Sequence, residues 1–110
     1  MDLQGKHAVV TGAGRGIGAA LAAEFHARGA RVVLADLAGA QDAAAGIGGD
    51  RVTGVTADVS TEEGNRLLVE EARAAFGPID LFFANAGVGT GTTLADTSED
   101  TWNTAFDVNV

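Results

Sequence analysis

A glycine-rich turn between two different periodic patterns constrains the fold of this chain more than any other feature. The apolar run His7–Val10 ends at Thr11, and the letters TGAGRGIG place glycines at 12, 14, 16 and 18. Apolar residues then recur with helical spacing at Ile17, Leu21 and Phe25. A helix N-terminus offers unpaired N–H groups and partial positive charge, and a turn without side chains lets an anion reach them. The sequence therefore predicts a strand, an anion-binding turn and a helix.

The same alternation of strand and helix continues along the chain. Three further strands are predicted from apolar or β-branched runs at 31–36, 51–58 and 79–84. Strands that are separated by helical patterns form βαβ units, which join parallel strands through right-handed crossovers. We therefore predict an α/β fold, with a parallel sheet that carries helices on both faces.

The helical segments differ in how well the sequence defines them. A short helix is predicted within 38–50, where glycines interrupt it, and a longer one continues to about Phe76. Ser60 lies three residues before Glu63, which predicts a capping box at the start of the longer helix. A last helix is predicted to begin near residue 97.

Composition excludes several classes of protein. Hydrophobic residues make up 46% of the chain and charged residues 20%, so one domain over 1–110 can bury a core. The absence of cysteine excludes a disulfide framework, a thiolate metal site and a cysteine nucleophile, and the two histidines are too far apart to suggest a metal. A net charge of −8 with dispersed acidic residues argues against nucleic-acid and anionic-membrane partners. With neither a signal-peptide pattern nor a bilayer-length apolar run, a cytoplasmic protein is expected.

Two phosphate-binding spacings can be fitted to the glycine turn. The spacing G-x-G-x-x-G/A fits only from Gly14, and it leaves an awkward spacer after the strand. The spacing TGxxxGxG fits without adjustment as Thr11, Gly12, Gly16 and Gly18. Gly12 then makes the turn, Gly16 gives access to a pyrophosphate, and Gly18 lets helix and sheet pack closely. On this interpretation Gly14 is the position that tolerates substitution.

In this spacing TGAGRGIG resembles the cofactor loop of the short-chain dehydrogenase/reductase family. Three further matches follow in order, at the ends of the second, third and fourth predicted strands: Asp36, Asp58-Val59 and Asn85-Ala86-Gly87. The resemblance covers essentially all 110 residues and is to the first half of a family member. It implies a Rossmann-type doubly wound parallel sheet that is incomplete, with about four strands and flanking helices.

The acid at the end of the second strand bears on the choice of cofactor. Asp36 is placed to accept hydrogen bonds from the adenosine ribose, and its charge repels a 2′-phosphate. Arg15 points the other way, because a basic residue in the loop can pair with that phosphate. We give Asp36 more weight, so NAD is expected and NADP is the less favoured alternative.

The resemblance implies cofactor-binding residues along the whole chain. No metal-binding residues are expected. Asp58 and Val59 would meet the adenine, while the segment from Asn85 would brace the sheet and border the cofactor. The full set implied to bind the cofactor is Thr11, Gly12, Arg15, Gly16, Ile17, Gly18, Asp36, Leu37, Asp58, Val59, Asn85, Ala86 and Gly87.

The resemblance further implies hydride transfer between nicotinamide and an alcohol or ketone. In the family a tyrosine moves the hydroxyl proton, a lysine four residues later lowers the pKa of that tyrosine, and a serine holds the substrate oxygen; Asn109 matches an auxiliary residue of the proton relay. This chain has no tyrosine, its only lysine is Lys6, and Ser60 and Ser98 are interpreted as helix caps. The chain is therefore expected to be the N-terminal portion of a homo-oligomeric oxidoreductase and inactive alone.

Two alternatives from other classes stay open at this point. The missing tyrosine and lysine suit a non-catalytic NAD-binding module or subunit. A methyltransferase also places a glycine-rich loop and an acid after successive strands, although the TGxxxGxG spacing and the Asn-Ala-Gly segment count against it.

Overall fold

Strands and helices alternate through the part of the chain that the structure, a computed structural model, describes, which is residues 2–85. The strands are β1 (His7–Thr11), β2 (Arg31–Asp36), β3 (Val52–Thr56) and β4 (Leu81–Phe83). The helices are α1 (Gly16–Ala27), α2 (Ala40–Ile47) and α3 (Glu62–Phe76). The predicted alternation is confirmed over this range. The predicted last helix lies outside the described residues, as do Ala86, Gly87 and Asn109.

The four strands form one parallel sheet in the order β3-β2-β1-β4. In the middle of the sheet, Val9 of β1 is paired with Val33 of β2 on one side and with Phe82 of β4 on the other. The chain therefore builds outward from β1 in one direction and then returns to the opposite side of β1 for β4. This reversal is the topological switch point of a Rossmann-type sheet, where a crevice opens at the carboxyl ends of the strands. The predicted fold class is confirmed, with a partial sheet.

Alternate residues of the central strands divide the core into two layers. Ala8, Val10, Val32 and Leu34 pack on the face that α1 and α2 cover. The residues between them, among them Val9 and Val33, pack on the opposite face against α3. Because both faces are covered, the central strands β1 and β2 are apolar along their middle residues, and this is why they could be recognised without an alternating pattern.

The predicted apolar stripe of α1 is confirmed at two of its three positions, Leu21 and Phe25, which pack against the core. Gly18 and Ala22 are buried, while Leu21 and Phe25 are only partly covered. Ile17 is 40% exposed, because the first turn of α1 lies at the open edge of the sheet. The prediction is therefore wrong only at Ile17, the first residue of the stripe.

Element ends also differ from the predictions. The third and fourth strands are shorter than 51–58 and 79–84, since only their middle residues pair with β2 and β1. The weakly defined segment 38–50 does contain a helix, and that helix ends at Gly48, whose φ of +80° a side chain would oppose.

His7 is a buried polar residue far from the carboxyl edge of the sheet. Its Nδ1 lies 3.1 Å from the carbonyl oxygen of Gly77 and 3.2 Å from that of Pro78. A carbonyl only accepts, so Nδ1 carries the proton, and Nε2 is buried without a partner among the described residues. Burial, with a smaller contribution from Arg31, lowers the pKa of His7, although both carbonyls and the Asp80 carboxylate oppose this shift. The ring is therefore neutral in the folded protein at neutral pH.

A pH dependence of stability follows from this neutral histidine. The pKa of His7 is lower in the folded than in the unfolded chain, so the unfolded chain binds more protons as the pH falls below about 6.5. The free energy of unfolding should therefore decrease from pH 7 to pH 5, and His7→Gln should make that decrease smaller. Urea unfolding at both pH values measures it, with His26→Gln as the control that removes an imidazole elsewhere. An unchanged decrease in His7→Gln would contradict the assignment.

Candidate cofactor site

The glycine turn connects the end of β1 to the start of α1 along a path that side chains would obstruct. Gly12 and Gly16 have φ values of +65° and +64°, a region that costs other residues roughly 1–2 kcal/mol. Gly18 is buried, and a Cβ on it would lie 2.7 Å from the carbonyl carbon of Gly12 and within van der Waals overlap of the Gly12 oxygen. Gly16 is exposed, with no atom within 4 Å of the position of a Cβ. The turn thus presents bare backbone to solvent on one side and packs tightly on the other.

The N-terminus of α1 is the least satisfied helix start in the described residues. Arg15 occupies the N-cap with extended backbone (φ −166°), its side chain caps nothing, and no acidic residue lies in the first turn. The other two described helices each carry an acid in the first turn, and Thr61 also caps α3. The N–H groups and positive end of α1 are therefore available to an anion from outside the chain.

Asp36 ends β2 directly beside the glycine turn. Its Oδ2 accepts a hydrogen bond from the Gly14 N–H (2.9 Å) and its Oδ1 accepts one from the Leu37 N–H (2.7 Å). Leu37 itself is 65% exposed at the same edge of the sheet. The carboxylate is therefore held by backbone amides rather than free in solvent.

The expectation that Gly14 tolerates substitution is wrong. A Cβ at Gly14 would lie 2.9 Å from Asp36 Oδ2 and would overlap the carbonyl oxygen of Ala38. The sequence pattern could not show this contact, because it depends on how closely the loop after β2 approaches the loop after β1. All four glycines of the turn have a structural reason to lack a side chain.

The segment after β3 holds a second exposed carboxylate. Asp58 Oδ1 accepts hydrogen bonds from the Ser60 hydroxyl (2.5 Å) and the Ser60 N–H (3.0 Å). The Ser60 hydroxyl, followed by the Ser60 amide, lowers the pKa of Asp58, so the group is ionised at neutral pH. Oδ2 makes no hydrogen bond within the described residues and can accept one from a ligand. Ser60 therefore orients Asp58.

The predicted capping box at Ser60 and Glu63 is accordingly wrong. Thr61 is the N-cap of α3, and its Oγ1 accepts from the Gly64 N–H at 2.9 Å. The Thr61 hydroxyl also donates to the carbonyl oxygen of Asp58 at 3.0 Å. Ser60 and Thr61 are adjacent, and the hydroxyl of either could cap the helix. Because the Ser60 hydroxyl donates to the Asp58 carboxylate, Thr61 is the residue that caps α3.

Ser60→Ala should weaken binding of an adenine-containing ligand by about two- to tenfold, since it removes one of two hydrogen bonds to Oδ1 of Asp58. Asp58→Ala should weaken the same ligand more, because it removes the acceptor itself. Titration with ADP-ribose measures both, and Thr61→Ser, which keeps the helix cap, is the control. Wild-type affinity in Ser60→Ala would show that the serine does not orient Asp58.

Gly64 is a residue that sequence reasoning missed. It is buried in the first turn of α3, and a Cβ on it would lie 2.6 Å from the carbonyl carbon of Asp58 and would overlap the Asp58 oxygen. This close approach sets the distance between the first turn of α3 and the loop that carries Asp58. Val59 of the same loop packs against the α3 face of the core. A glycine inside an otherwise regular helix was the signal that could have been used.

Asn85 connects the end of β4 to the glycine turn across the switch point. Its Nδ2 lies 3.4 Å from the carbonyl oxygen of Gly12, a long hydrogen bond, and Thr11 beside it is buried. Asp36 contacts the turn from the other side. The sheet therefore brings the glycine turn, Asp36 and Asn85 into direct contact, and it places Asp58 at the same carboxyl edge.

Two kinds of structural feature are absent from the part of the chain that the structure describes. In residues 2–85, no three histidine, aspartate or glutamate side chains are grouped so that they could hold a metal ion. In the same range, no helix is both long and apolar enough to cross a membrane.

Comparison with known proteins identifies the class that this fold and site define. The family model of the short chain dehydrogenases matches residues 6–110. The chain therefore belongs to the short-chain dehydrogenase/reductase family, and the methyltransferase alternative is not supported.

Curated relatives match the chain over nearly its whole length. Elsinochrome reductase 1 of Elsinoe fawcettii is 40% identical, over 97% of this chain and 42% of its own length. The 3beta-hydroxysteroid dehydrogenase 1 of Eggerthella lenta is 37% identical, over 99% of this chain and 44% of its own length. The chain thus spans less than half the length of these two relatives.

Solved structures give the same result for the fold. A 3-ketoacyl-(acyl-carrier-protein) reductase from Brucella melitensis complexed with NADH is 38% identical with a TM-score of 0.75, covering 98% of this chain and 46% of that one. A short chain dehydrogenase/reductase from Burkholderia phymatum in complex with NAD is 38% identical with a TM-score of 0.76, covering 100% and 41%.

Proposed function

We propose that the protein carrying this chain is an NAD-preferring oxidoreductase that transfers a hydride between the nicotinamide and an alcohol or ketone. The observation that carries the proposal is the uncapped start of α1 beside Asp36, whose Oδ2 is fixed 2.9 Å from the Gly14 amide at the switch point. The two solved relatives, described with NADH and NAD, support a nicotinamide cofactor.

In the proposed arrangement, each group of the cofactor binds different residues at the carboxyl edge of the sheet. The pyrophosphate would lie over Gly16 and the first N–H groups of α1, with Ile17 beside it. The adenosine ribose would bind Asp36, next to Leu37, and the adenine would reach Asp58 and Val59. The remaining contacts are proposed for Thr11, Gly12, Gly18, Asn85, Ala86 and Gly87.

Charge at the ribose supports NAD over NADP. The Asp36 carboxylate would repel a 2′-phosphate at hydrogen-bonding distance, where two like charges interact strongly. Arg15 is exposed and forms no ion pair with any described residue, so its cation is available to a phosphate. Because two amides hold the Asp36 carboxylate, whereas neither an ion pair nor a helix-cap hydrogen bond within the described residues holds the Arg15 side chain, we propose that Asp36 decides the preference.

Catalysis is proposed for the whole protein and not for these 110 residues alone. The chain contains no tyrosine, and Lys6 precedes β1, so it cannot supply the tyrosine and lysine of the family's proton transfer. Asn109 is proposed as an auxiliary residue of the proton relay. The proposal further includes a small-molecule alcohol or ketone substrate, a homo-oligomer in the cytoplasm, and neither nucleic acid nor membrane as a partner.

A turnover assay separates this proposal from a non-catalytic NAD-binding module. The whole protein is mixed with NAD and a panel of secondary alcohols, and reduced nicotinamide is followed by its absorbance. We expect the whole protein to reduce NAD with at least one of the alcohols. We expect the 110-residue chain to reduce NAD with none of them. Binding of NAD by a whole protein that lacks a Tyr-x-x-x-Lys pair and gives no turnover would favour the module.

A further inference from the structure

The loop after β1 and the loop after β2 meet at Asp36. The Ala13 N–H donates to the Ala35 carbonyl at 3.1 Å, which extends the pairing of β1 and β2 by one bond beyond the strands. The next amide along the chain, that of Gly14, finds the Asp36 carboxylate instead of another carbonyl. A side chain thus continues the series of hydrogen bonds where the backbone of β2 can no longer do so.

The two loops are in contact backbone to backbone around this bond. A Cβ on Gly14 would overlap the carbonyl oxygen of Ala38, and a Cβ on Gly39 would lie 3.1 Å from the carbonyl oxygen of Gly14. Gly39 is the N-cap of α2 and has a φ of +84°. With no side chain between the loops, the backbone packing and the hydrogen bond of the Gly14 amide together position Gly14.

The carboxylate has capacity for both the loop and a ligand. Its two oxygens offer about four acceptor positions, and the amides of Gly14 and Leu37 occupy one on each oxygen. One position on each oxygen is left, which suits the two adjacent hydroxyls of a ribose. Binding a ribose would therefore not require release of the Gly14 amide.

We infer that Asp36 is a positioning residue for the glycine turn in addition to its proposed role at the ribose. The Gly14 bond holds the turn in its binding geometry before any cofactor arrives, so cofactor choice and turn geometry depend on one carboxylate. Replacing Asp36 to admit NADP would then also loosen the turn that binds the pyrophosphate. This inference rests on the proposed function for its consequence, but the loop contact can be measured without a cofactor.

The direct test is the Gly14 amide in the cofactor-free whole protein, observed by NMR. Asp36→Ala should speed hydrogen exchange of this amide by about tenfold or more, because a charge-assisted bond is lost. Asp36→Asn keeps one acceptor oxygen and should give an intermediate rate. Asp42→Ala removes an exposed acid in the first turn of α2 and should leave the rate unchanged. Equal rates in the wild type, Asp36→Asn and Asp36→Ala would overturn the inference.

The wild type gives a readout that needs no variant. The Gly14 amide binds the Asp36 carboxylate, so its hydrogen exchange should be much slower than that of an amide without a hydrogen bond. Exchange of the Gly14 amide at the rate of an unprotected amide would contradict the inference even if the alanine variant fails to fold.

Inorganic pyrophosphate tests the consequence for binding, since it can occupy the turn without touching a ribose contact. Both Asp36 variants remove the same negative charge, so any difference between their pyrophosphate affinities reflects the geometry of the glycine turn. We expect several-fold weaker pyrophosphate binding in Asp36→Ala than in Asp36→Asn; equal affinity would contradict coupling to binding. A wild type that binds neither pyrophosphate nor NAD would refute the proposed function, while the Gly14 exchange rates would still decide the loop contact.

Discussion

Gly18→Ala should abolish measurable NAD binding and lower the free energy of unfolding by about 2 kcal/mol or more. The added methyl group would lie 2.7 Å from the carbonyl carbon of Gly12 and would overlap its oxygen. Both contacts are backbone at the point where α1 packs on the end of β1, so no flexible side chain can move aside. Relief requires α1 to shift away from the turn, which displaces the N–H groups that we propose bind the pyrophosphate.

Gly46→Ala is the matched control for this experiment. Gly46 lies within α2, and nothing approaches the position of a Cβ within 4 Å. The same chemical change should therefore be neutral or stabilise by up to about 1 kcal/mol, since alanine favours the helix. Chemical denaturation and NAD titration of both variants make the comparison. Similar behaviour of Gly18→Ala and Gly46→Ala would show that α1 and the turn are not in close contact.

Gly64→Ala should have a comparable effect on stability but a different effect on binding. Its methyl group would overlap the carbonyl oxygen of Asp58 and lie 2.6 Å from the carbonyl carbon, again backbone against backbone. We expect a loss of about 2 kcal/mol or more in the free energy of unfolding. The start of α3 and the Asp58 loop must separate, so the Thr61 hydroxyl loses its bond to the Asp58 oxygen.

The difference in binding makes this second prediction specific. NAD affinity should fall in Gly64→Ala because Asp58 is displaced, whereas pyrophosphate affinity should stay near that of the wild type because the glycine turn is on another loop. Gly18→Ala should lose both. Calorimetry with the two ligands distinguishes the cases, and an equal loss of pyrophosphate affinity in Gly64→Ala would mean that the variant had disturbed the whole sheet.

The fold was predictable because its signals are local and mutually consistent. The central strands β1 and β2 are largely apolar runs that are buried on both faces, and glycine or a hydroxyl residue marks most of the described helix ends. The TGxxxGxG spacing located the turn between β1 and α1. Within residues 2–85 the strand ends that were misplaced are those of β3 and β4, since pairing with a neighbouring strand and not composition decides where a strand stops.

The errors at the candidate site have a common physical cause. Gly14 looked tolerant because its restriction comes from Ala38, which a pattern within one loop cannot reveal. Ser60 looked like a helix cap because the sequence does not show that its hydroxyl donates to the Asp58 carboxylate instead. Ile17 looked buried because helical spacing says nothing about where a helix leaves the sheet. Each of these errors concerns how side chains, loops and helix ends are placed in three dimensions, which the spacing of residues along the sequence does not contain.

The most direct test of the central claim is calorimetric titration of the whole protein with NAD and NADP under identical salt conditions. The uncapped start of α1 and the fixed Asp36 carboxylate predict that both the wild type and Gly46→Ala bind NAD more tightly than NADP. They also predict that Gly18→Ala binds neither. Tighter binding of NADP than NAD, or no binding of either by the wild type, would contradict the account.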